Sequence, residues 1–555
     1  MSAPTTPPPV LAIDRLVVNL PTLKRPILQG ISLDIAAGET LCLVGESGSG
    51  KSVTSLATMG LLPKKILKVT AGSIKLDGEE LVGASDARLR AVRASRMAMI
   101  FQEPMTALNP VLPVGRQIEE VLKTHLHLSA ADRRAKVLAM MEQVHLPNIE
   151  RVYGSYPHQL SGGQRQRIMI AMALILDPRL LIADEPTTAL DVTTQKQILK
   201  LIKELQERRG TSVLFITHDM GVVADIADRV CVMHHGEMVE TDTVDTILRH
   251  PREDYTRRLL GAVPSLVPRP ARLAESLEPV LRVNALAKTY ATRSFLGKAR
   301  ETIAAADVSF ELVRGRTLGI VGESGSGKST VARCVMRLID PTSGSIRLGN
   351  QEVSDLSAPA LRPFRKRIQM IFQDPYRSLN PRIKVGESIV EGQLNFGTPR
   401  PAAMARAREL MPLVGLPEDA VERYPHQFSG GQRQRIAIAR ALAMEPDVLV
   451  ADEAVSALDV SVQAQVLDLL ADIQARLGIA ILFITHDLRV AAQICDDVVV
   501  MHKGRIVEYG PAADVLAAPK AEYTRDLLLA APGRHWDFAN FRPLATFASA
   551  LEDVR

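Results

Sequence analysis

One stretch of eight residues occurs twice in this chain and limits its fold more than any other feature. The stretch Gly-Glu-Ser-Gly-Ser-Gly-Lys-Ser fills positions 45–52 and returns at 322–329. Each copy follows a short apolar run, 40–44 or 317–321, and precedes a segment compatible with a helix. A strand, a turn and a helix in that order form the context of a phosphate-binding loop. A glycine-rich surface turn, the alternative, does not explain two matches in the same context.

Each residue type in the repeated stretch suits a bound phosphate. Glycines let successive backbone amides turn inward around an oxyanion, and the helix that begins near the last glycine adds its positive end. The lysine reaches the outer phosphates, and the serine after it offers a hydroxyl to Mg²⁺. We therefore predict two sets of nucleotide-binding residues. They are Gly45, Glu46, Ser47, Gly48, Ser49, Gly50, Lys51 and Ser52, and Gly322, Glu323, Ser324, Gly325, Ser326, Gly327, Lys328, Ser329 and Thr330.

The repeat extends far beyond these loops. Lys51 and Lys328 lie 277 positions apart. A similar offset, 268 positions, relates Ser161 to Ser429, Glu185 to Glu453 and His218 to His486. The chain of 555 residues is therefore predicted to contain two copies of one domain of about 250 residues, each long enough to bury a substantial core.

Proline-rich segments mark the predicted boundaries. We place the domains at 10–260 and 280–530, because the 261–279 segment carries four prolines and no apolar periodicity, which is typical of a linker. A leader, 1–9, precedes the first domain. The tail, 531–555, contains the only tryptophan, Trp536, together with Phe538 and Phe541. We expect this tail to pack on the second domain.

Composition excludes several classes of protein. Hydrophobic residues make up 46% and charged residues 23% of the chain, which is typical of a soluble globular protein. No apolar run approaches the length of about 20 residues that crosses a bilayer. The four cysteines are scattered without a C-x-x-C pair, which indicates buried thiols in a reducing compartment. The leader has neither a basic start nor an apolar core, so we expect a cytosolic protein without a secretory signal.

Strand and helix patterns alternate along each copy. Short β-branched runs predict strands at 16–20, 31–35, 41–44, 73–76, 98–101, 180–183 and 213–217, with later copies at 448–451 and 481–485. From about 115 to 177, apolar residues recur with helical spacing, which predicts a mainly helical subdomain. The alternation indicates an α/β fold with a parallel core, in which functional residues gather at the carboxyl ends of the strands.

An acidic pair ends one predicted strand in each copy. The pairs are Asp184 with Glu185, and Asp452 with Glu453. In each pair the aspartate would hold the metal and the glutamate would polarise the attacking water, since phosphoryl transfer depends mainly on positioning. The next strand in each copy ends at a histidine, His218 or His486, that would contact the γ-phosphate.

A second short string is also repeated. It comprises Ser161, Gly162, Gly163 and Gln164 in the first copy, and Ser429, Gly430, Gly431 and Gln432 in the second. Serine at the N-cap with glutamine three positions on predicts a capping box at the start of a helix. A well-started helix and a ligand-binding role are compatible with each other.

With the phosphate loops, the strings Leu-Ser-Gly-Gly-Gln at 160–164 and Phe-Ser-Gly-Gly-Gln at 428–432 resemble the signature of ABC-type ATPases. The resemblance covers about residues 10–530. It implies two tandem ABC-type P-loop ATPase domains, each with a mainly parallel α/β core, an antiparallel β region and a helical subdomain. The family positions that correspond are the Q-loop glutamine, Gln102 or Gln373, the D-loop aspartate, Asp191 or Asp459, and the switch histidine, His218 or His486.

The resemblance also implies how such a chain would work. In the family, ATP with Mg²⁺ lies between the phosphate loop of one domain and the signature of the other, and the Q-loop glutamine joins the metal ligands. The signature serine and the amides of its helix are suitable donors to the γ-phosphate, and they engage only when the domains close. Fusion of both domains in one chain makes this closure intramolecular.

Further strings narrow the resemblance to importers of the peptide, glutathione and nickel group. They are Phe-Gln-Glu-Pro-Met-Thr-Ala-Leu-Asn-Pro at 101–110, its counterpart at 372–381, Tyr-Pro-His-Gln before each signature, and Tyr-Thr-Arg at 255–257 and 523–525. Such importers imply two transmembrane permease subunits and an extracytoplasmic substrate-binding protein as partners, and no nucleic acid. They also imply a peripheral position on the cytoplasmic face of the inner membrane. Peptides are the favoured cargo, with glutathione and nickel left open.

Paired ABC proteins that act on ribosomes or nucleic acid are the alternative. Those that resemble translation factors carry a long charged helical linker, and the repair proteins carry zinc-binding C-x-x-C pairs. This sequence has neither, and its basic residues are dispersed rather than gathered in one patch. The sequence therefore favours the importer.

Two positions depart from the family pattern. Pro186 follows the first glutamate, but Ala454 follows the second, a change that we expect to affect local stiffness more than chemistry. Tyr290 occupies the place of the aromatic residue that stacks on adenine, whereas the first copy offers Leu20 there. Arg25 is the alternative partner for that base. We therefore expect the first ATP site to be the weaker one.

Overall fold

The computed structural model describes residues 8–22, 25–188, 190–270, 278–292, 300–456 and 458–544. The chain divides into two compact units, which are described separately. The first contains the residues up to Gly261 together with His535–Pro543, and the second contains Ala262–Arg534. Within the described ranges, no helix combines the length and the apolar character needed to cross a membrane.

The first unit contains two sheets. Its strands are β1 (Leu11–Asn19), β2 (Leu28–Ile35), β3 (Thr40–Val44), β4 (Lys68–Leu76), β5 (Glu79–Glu80), β6 (Met97–Ile100), β7 (Leu180–Asp184), β8 (Ser212–Ile216), β9 (Arg229–His234) and β10 (Glu237–Thr243). One sheet is antiparallel with the order β2-β1-β4-β5. The other has the order β10-β9-β3-β8-β7-β6 and is parallel except for the β9–β10 pair.

Helices of the first unit cover the parallel sheet and form the subdomain between β6 and β7. They are α1 (Lys51–Thr58), α2 (Asp86–Val92), α3 (Pro104–Ala107), α4 (Val114–His125), α5 (Ala130–Gln143), α6 (Ile149–Tyr153), α7 (Gly162–Leu174), α8 (Val192–Arg209), α9 (Met220–Ile226), α10 (Val244–Arg249) and α11 (Asp254–Gly261), with a 3-10 turn at Pro157–Gln159. Every residue of β3, β7 and β8 is buried. Parallel strands covered on both faces read as continuous apolar runs, which is why these strands were visible in the sequence.

The second unit repeats this arrangement. Its strands are β11 (Pro279–Thr292), β12 (Arg300–Val313), β13 (Thr317–Val321), β14 (Ser343–Leu348), β15 (Gln351–Glu352), β16 (Ile368–Ile371), β17 (Val448–Asp452), β18 (Ala480–Thr485), β19 (Asp497–His502) and β20 (Arg505–Pro511). Its sheets have the orders β12-β11-β14-β15 and β16-β17-β18-β13-β19-β20. The predicted α/β fold with two tandem domains is confirmed.

The helices of the second unit also match those of the first, except that a 3-10 turn at Glu418–Glu422 takes the place of α6. They are α12 (Lys328–Val335), α13 (Ala358–Arg367), α14 (Pro375–Ser378), α15 (Val385–Asn395), α16 (Arg400–Leu413), α17 (Gly430–Leu442), α18 (Val460–Leu477), α19 (Leu488–Ile494), α20 (Ala512–Ala517) and α21 (Glu522–Ala530), with 3-10 turns at Glu418–Glu422 and Pro425–Gln427. In both units the core cluster joins the antiparallel sheet to one face of the parallel sheet, so the first helix after the phosphate loop is fixed between them.

The segment predicted as a linker is partly packed on the second unit. The Arg269 guanidinium lies 2.6 Å from the carboxylate of Asp496, and the backbone amide of Arg269 donates to the carbonyl of Ala492 at 3.0 Å. The Asp496 side chain is fully shielded from solvent. Losing Arg269 from this pair would leave the buried carboxylate of Asp496 without its cationic partner, which is costly, so the pair keeps the segment in place.

The chain's last described segment lies on the first unit, so the expectation that the tail packs on the second domain is wrong. There β21 (Trp536–Asp537) and β22 (Arg542–Pro543) flank a 3-10 turn at Phe538–Asn540 that contacts α11. The Trp536 ring lies 5.4 Å from the Arg249 guanidinium carbon, and Phe538 is 2% exposed. Only the contacts of these aromatic residues decide which unit the tail joins, and neither composition nor periodicity specifies such contacts.

We expect Phe538→Ala to destabilise the first unit selectively. Removing a buried phenyl ring costs about 3–5 kcal/mol in the free energy of unfolding. Thermal unfolding combined with limited proteolysis would show fragments of the first unit released at a lower temperature. Phe396→Ala is the matched control, because that ring is 39% exposed in the second unit. Earlier release of fragments from the second unit by Phe538→Ala would contradict the docking.

Candidate active site

Each predicted phosphate-binding loop turns tightly at its first glycine. Gly45 and Gly322 both have φ of 148°. A Cβ atom at Gly45 would lie 2.2 Å from the carbonyl oxygen of Met233, and one at Gly322 would lie 2.3 Å from that of Met501. The loop therefore runs against the end of the neighbouring strand, β9 or β19, and only glycine fits at this point.

The lysine of each loop is buried and binds the loop's own carbonyls. Lys51 Nζ donates to the carbonyl oxygens of Gly45 and Glu46 at 2.6 and 2.9 Å. Lys328 Nζ makes the same bonds to Gly322 and Glu323, both at 2.7 Å. The ammonium group is thus held inside the loop, where the outer phosphates of a bound nucleotide would lie.

Beside each loop, a serine hydroxyl meets the aspartate predicted to hold the metal. Ser52 Oγ donates to Asp184 Oδ1 at 3.2 Å, and Ser55 Oγ donates to Asp184 Oδ2 at 3.1 Å. Burial raises the pKa of Asp184, and the two serine hydroxyls partly oppose that rise. Ser329 Oγ and Asp452 Oδ1 lie 3.1 Å apart in the second unit. Hydroxyl and carboxylate oxygens are hard ligands, so both sites have the donor chemistry that Mg²⁺ prefers.

Three strand ends converge on Glu185. Gln102, after β6, donates its side-chain amide to Glu185 Oε2 at 2.8 Å. His218, after β8, places Nδ1 at 3.1 Å from Glu185 Oε1. Thr188 adds a hydroxyl bond to Oε2 at 3.0 Å, a contact that sequence analysis missed. Because β6, β7 and β8 are adjacent parallel strands, their carboxyl ends bring these residues together.

Glu453 has the corresponding partners in the second unit. Gln373 donates to Glu453 Oε2 at 2.7 Å, and His486 Nδ1 lies 3.4 Å from Glu453 Oε1. At the position of Thr188, the Ser456 hydroxyl donates instead to the backbone carbonyl of Glu453 at 3.0 Å. Each carboxylate therefore contacts a glutamine and a histidine of its own unit. The third contact differs, because the hydroxyl reaches the carboxylate at Glu185 but the backbone carbonyl at Glu453.

Burial and hydrogen bonding act in opposite directions on the pair Glu185–His218. Burial alone would raise the pKa of Glu185, but the hydrogen bond and charge of His218 lower it to about 2. Burial alone would lower the pKa of His218, but Glu185 raises it above the ordinary value. The directions are the same for Glu453 and His486. Each pair is thus stabilised as carboxylate and imidazolium.

The backbone at both glutamates is strained. Glu185 has φ of 46° and Glu453 has φ of 48°, in the left-handed region that non-glycine residues rarely occupy. The Glu185 amide donates to the carbonyl of Ile216 at 2.9 Å, and the Glu453 amide donates to that of Ile484 at the same distance. Such strain costs about 1–3 kcal/mol and persists where the surroundings fix it. In this conformation the glutamate side chain leaves the direction of β7 or β17, the strand that ends one residue earlier.

The signature strings begin helices, as predicted. Ser161 caps α7 by accepting from the Gln164 amide at 3.3 Å, while Gln164 Oε1 accepts from the Ser161 amide at 3.0 Å. Ser429 and Gln432 form the same capping box on α17. The hydrogen bonds described for each signature serine run to its own helix start and not to Glu185 or Glu453. Asp191 caps the next helix, α8, through the Thr194 amide at 2.9 Å, and Asp459 occupies the N-cap of α18.

The register of the antiparallel sheets relates Tyr290 to Leu20. Leu11 of β1 faces Leu76, and Leu281 of β11 faces Leu348. Leu11 and Leu281 are 270 positions apart, and the same offset makes Leu20 the counterpart of Tyr290. Tyr290 is 40% exposed, and the Lys288 ammonium lies 5.3 Å from its ring centroid. Tyr290 is thus partly open to solvent at the position where the resemblance implies that a base would stack.

Comparison with protein families matches both units. The family described as "ABC transporter" matches residues 28–188 and 305–456. A second family, "Oligopeptide/dipeptide transporter, C-terminal region", matches residues 239–293. The first family spans the loops and carboxylates described above in both units, and the second begins within β10.

Curated relatives are similar over nearly the whole chain. The glutathione import ATP-binding protein GsiA of Salmonella choleraesuis (strain SC-B67) is 49% identical over 537 residues, which cover 91% of this chain and 86% of the relative. The protein of the same name from Escherichia coli O157:H7 is 49% identical over 557 residues, covering 94% and 89%. That of Escherichia coli (strain K12) is 48% identical, with the same coverage.

We expect Glu185→Gln combined with Glu453→Gln to separate nucleotide binding from hydrolysis. Glutamine keeps the size of the side chain but cannot polarise water as a carboxylate does, so turnover should fall by about 100-fold or more. ATP should remain bound after rapid desalting. Lys51→Ala with Lys328→Ala is the contrasting pair, because loss of a charge-assisted contact weakens binding itself. A glutamine double variant that turns over near the parental rate would contradict the role of these residues.

We also expect the two sites to differ in ATP affinity. Leu20 can replace only part of the stacking that Tyr290 offers to adenine. The first site should therefore bind ATP more weakly than the second by about 0.5–1.5 kcal/mol, or about 2- to 13-fold. Lys328→Ala would confine binding in the full chain to the first site, and Lys51→Ala to the second. ATP titrations in these two backgrounds, with and without Leu20→Tyr or Tyr290→Leu, measure the difference. If neither exchange changes its site, stacking at these positions does not set the affinity.

Proposed function

The chain belongs to the ABC transporter family and is an ATPase, and from that premise we propose that it powers a membrane importer of small peptides, with glutathione as the specific cargo. The observation that carries this proposal is the similarity to glutathione import ATP-binding proteins over more than nine tenths of the chain. The match to the C-terminal region of oligopeptide/dipeptide transporters supports it. These matches favour an importer over action on ribosomes or nucleic acid.

In the proposed cycle, each phosphate loop binds ATP and each glutamate acts on water. Lys51 and Lys328 exchange the loop carbonyls for phosphate oxygens, which are stronger acceptors for an ammonium group. Glu185 and Glu453 are held as carboxylates and orient the attacking water, while His218 and His486 contact the γ-phosphate. The two domains close on ATP and reopen after hydrolysis.

A magnesium ion bound with ATP would be held in the first site by Ser52, Asp184 and Gln102, and in the second by Ser329, Asp452 and Gln373. The ion would neutralise charge that develops on the phosphate oxygens. Burial favours the protonated form of Asp184, so the cation would also restore the carboxylate there. The oxygen ligands would come from the phosphate loop and from the strand ends beside it, which is where phosphate-loop ATPases hold their magnesium ion.

The proposed partners are two transmembrane permease subunits and an extracytoplasmic substrate-binding protein. The chain would then lie on the cytoplasmic face of the inner membrane and take its position from the permeases. Cargo selection would rest with those partners.

The importer predicts an ATPase that responds to its partners. The rate should rise when the purified chain is assembled with its permeases, and again when the binding protein arrives loaded with glutathione. The same complex carrying Glu185→Gln and Glu453→Gln controls for contaminating ATPases. Equal rates for the chain alone and both assemblies would contradict coupled transport. Uptake of labelled glutathione into vesicles, compared with an unrelated tripeptide, tests the cargo separately.

A further inference from the structure

A tyrosine from outside the repeated motifs touches the first phosphate loop. The Glu46 backbone amide, second in the loop, donates to the Tyr255 hydroxyl oxygen at 3.2 Å. Tyr255 stands at the start of α11 and is 8% exposed. Its ring stacks on His234, the last residue of β9, with a centroid distance of 4.0 Å and an angle of 28° between the planes. The hydroxyl is therefore held in place from the ring side.

The second unit has the same contact. The Glu323 amide donates to the Tyr523 hydroxyl at 3.2 Å. The Tyr523 ring stacks on His502 at a centroid distance of 4.0 Å, with 9° between the planes. In each copy the tyrosine follows the histidine by 21 positions. The same arrangement in both compact units points to a constraint that serves the loop itself.

We propose that Tyr255 and Tyr523 are positioning residues that set the phosphate loops for ATP. The Glu46 residue is held from two sides, its amide by the tyrosine and its carbonyl by Lys51. A bound phosphate would attract the Lys51 ammonium group away from the Glu46 carbonyl, so that of these two contacts only the one to the tyrosine would remain. The phenol oxygen accepts a hydrogen bond from the amide, as a phosphate oxygen also would, so the tyrosine fixes an amide that would otherwise turn. The loop then enters the bound state with its first turn already formed.

This role links a segment outside the ATPase motifs to the ATP site. Tyr255 lies within residues 239–293, the match to the C-terminal region of oligopeptide/dipeptide transporters. The Tyr-Thr-Arg string that contains it was recognised in the sequence only as a mark of a subgroup. In the structure, the same residue contacts the second position of the phosphate loop.

Loss of the hydroxyl should weaken ATP binding and leave turnover intact. Tyr255→Phe in the Lys328→Ala background, and Tyr523→Phe in the Lys51→Ala background, each report on one site of the full chain. One neutral hydrogen bond corresponds to an ATP affinity about 2- to 10-fold lower at each site. With both native lysines present, the double phenylalanine variant should raise KM for ATP by a similar factor, with kcat within about twofold of the parent.

Two comparisons separate positioning from plain packing. Tyr153→Phe is the matched control, because it removes a phenol hydrogen bond to Glu119 in the helical subdomain and should leave ATP affinity unchanged. Tyr255→Leu removes the ring as well, so a packing role would affect Leu but spare Phe. Unchanged ATP affinity in both single phenylalanine variants overturns the proposal, as does a fall in kcat with KM unchanged. The two units provide independent determinations, so misfolding of one variant still leaves the other as a test.

Discussion

The contact between a buried glutamate and a histidine, Glu185 with His218 or Glu453 with His486, is the interaction on which each proposed ATP site depends. It joins the ends of two adjacent parallel strands, and a glutamine from the end of a third strand donates a hydrogen bond to the same glutamate. The strained backbone at the glutamate persists because the neighbouring strand accepts its amide hydrogen bond. The six-stranded sheet thus fixes the site, and the helices fix the sheet.

Much of this arrangement could be predicted because its signals are local. Capping boxes at Ser161 and Ser429 depend on residues three positions apart, and buried parallel strands show as apolar runs. The ends of strands were less accessible: β1 begins at Leu11, whereas the pattern indicated a start at Leu16. The alternation there is broken by a bulge at which Arg15 has a positive φ, and the apolar pattern loses its register at a bulge.

Other features could not be predicted because their partners are distant in the sequence. Tyr255 lies 209 positions from Glu46, and the sequence records only that a tyrosine recurs after a histidine. Phe538 likewise carries no sign of the surface that buries it, since an apolar residue fits any apolar surface of suitable shape. The Thr188 contact is different, because it spans only three positions and depends on the directions of two side chains, which the sequence does not specify. Motifs therefore predict the candidate site residues, whereas only the packing between distant segments shows which further residues contact them.

The docking of residues 535–543 on the first unit has a consequence for the order in which the protein matures. Domains emerge from the ribosome amino terminus first and generally fold as units. The surface around Arg249 and α11 stays uncovered while the whole second unit is made, because its cover is encoded after that unit. The first domain is thus completed last. A stop codon in place of His535 would leave the residues of the second unit up to Arg534 in place and remove the cover of the first, so the defect would appear in the domain encoded far upstream of the lesion.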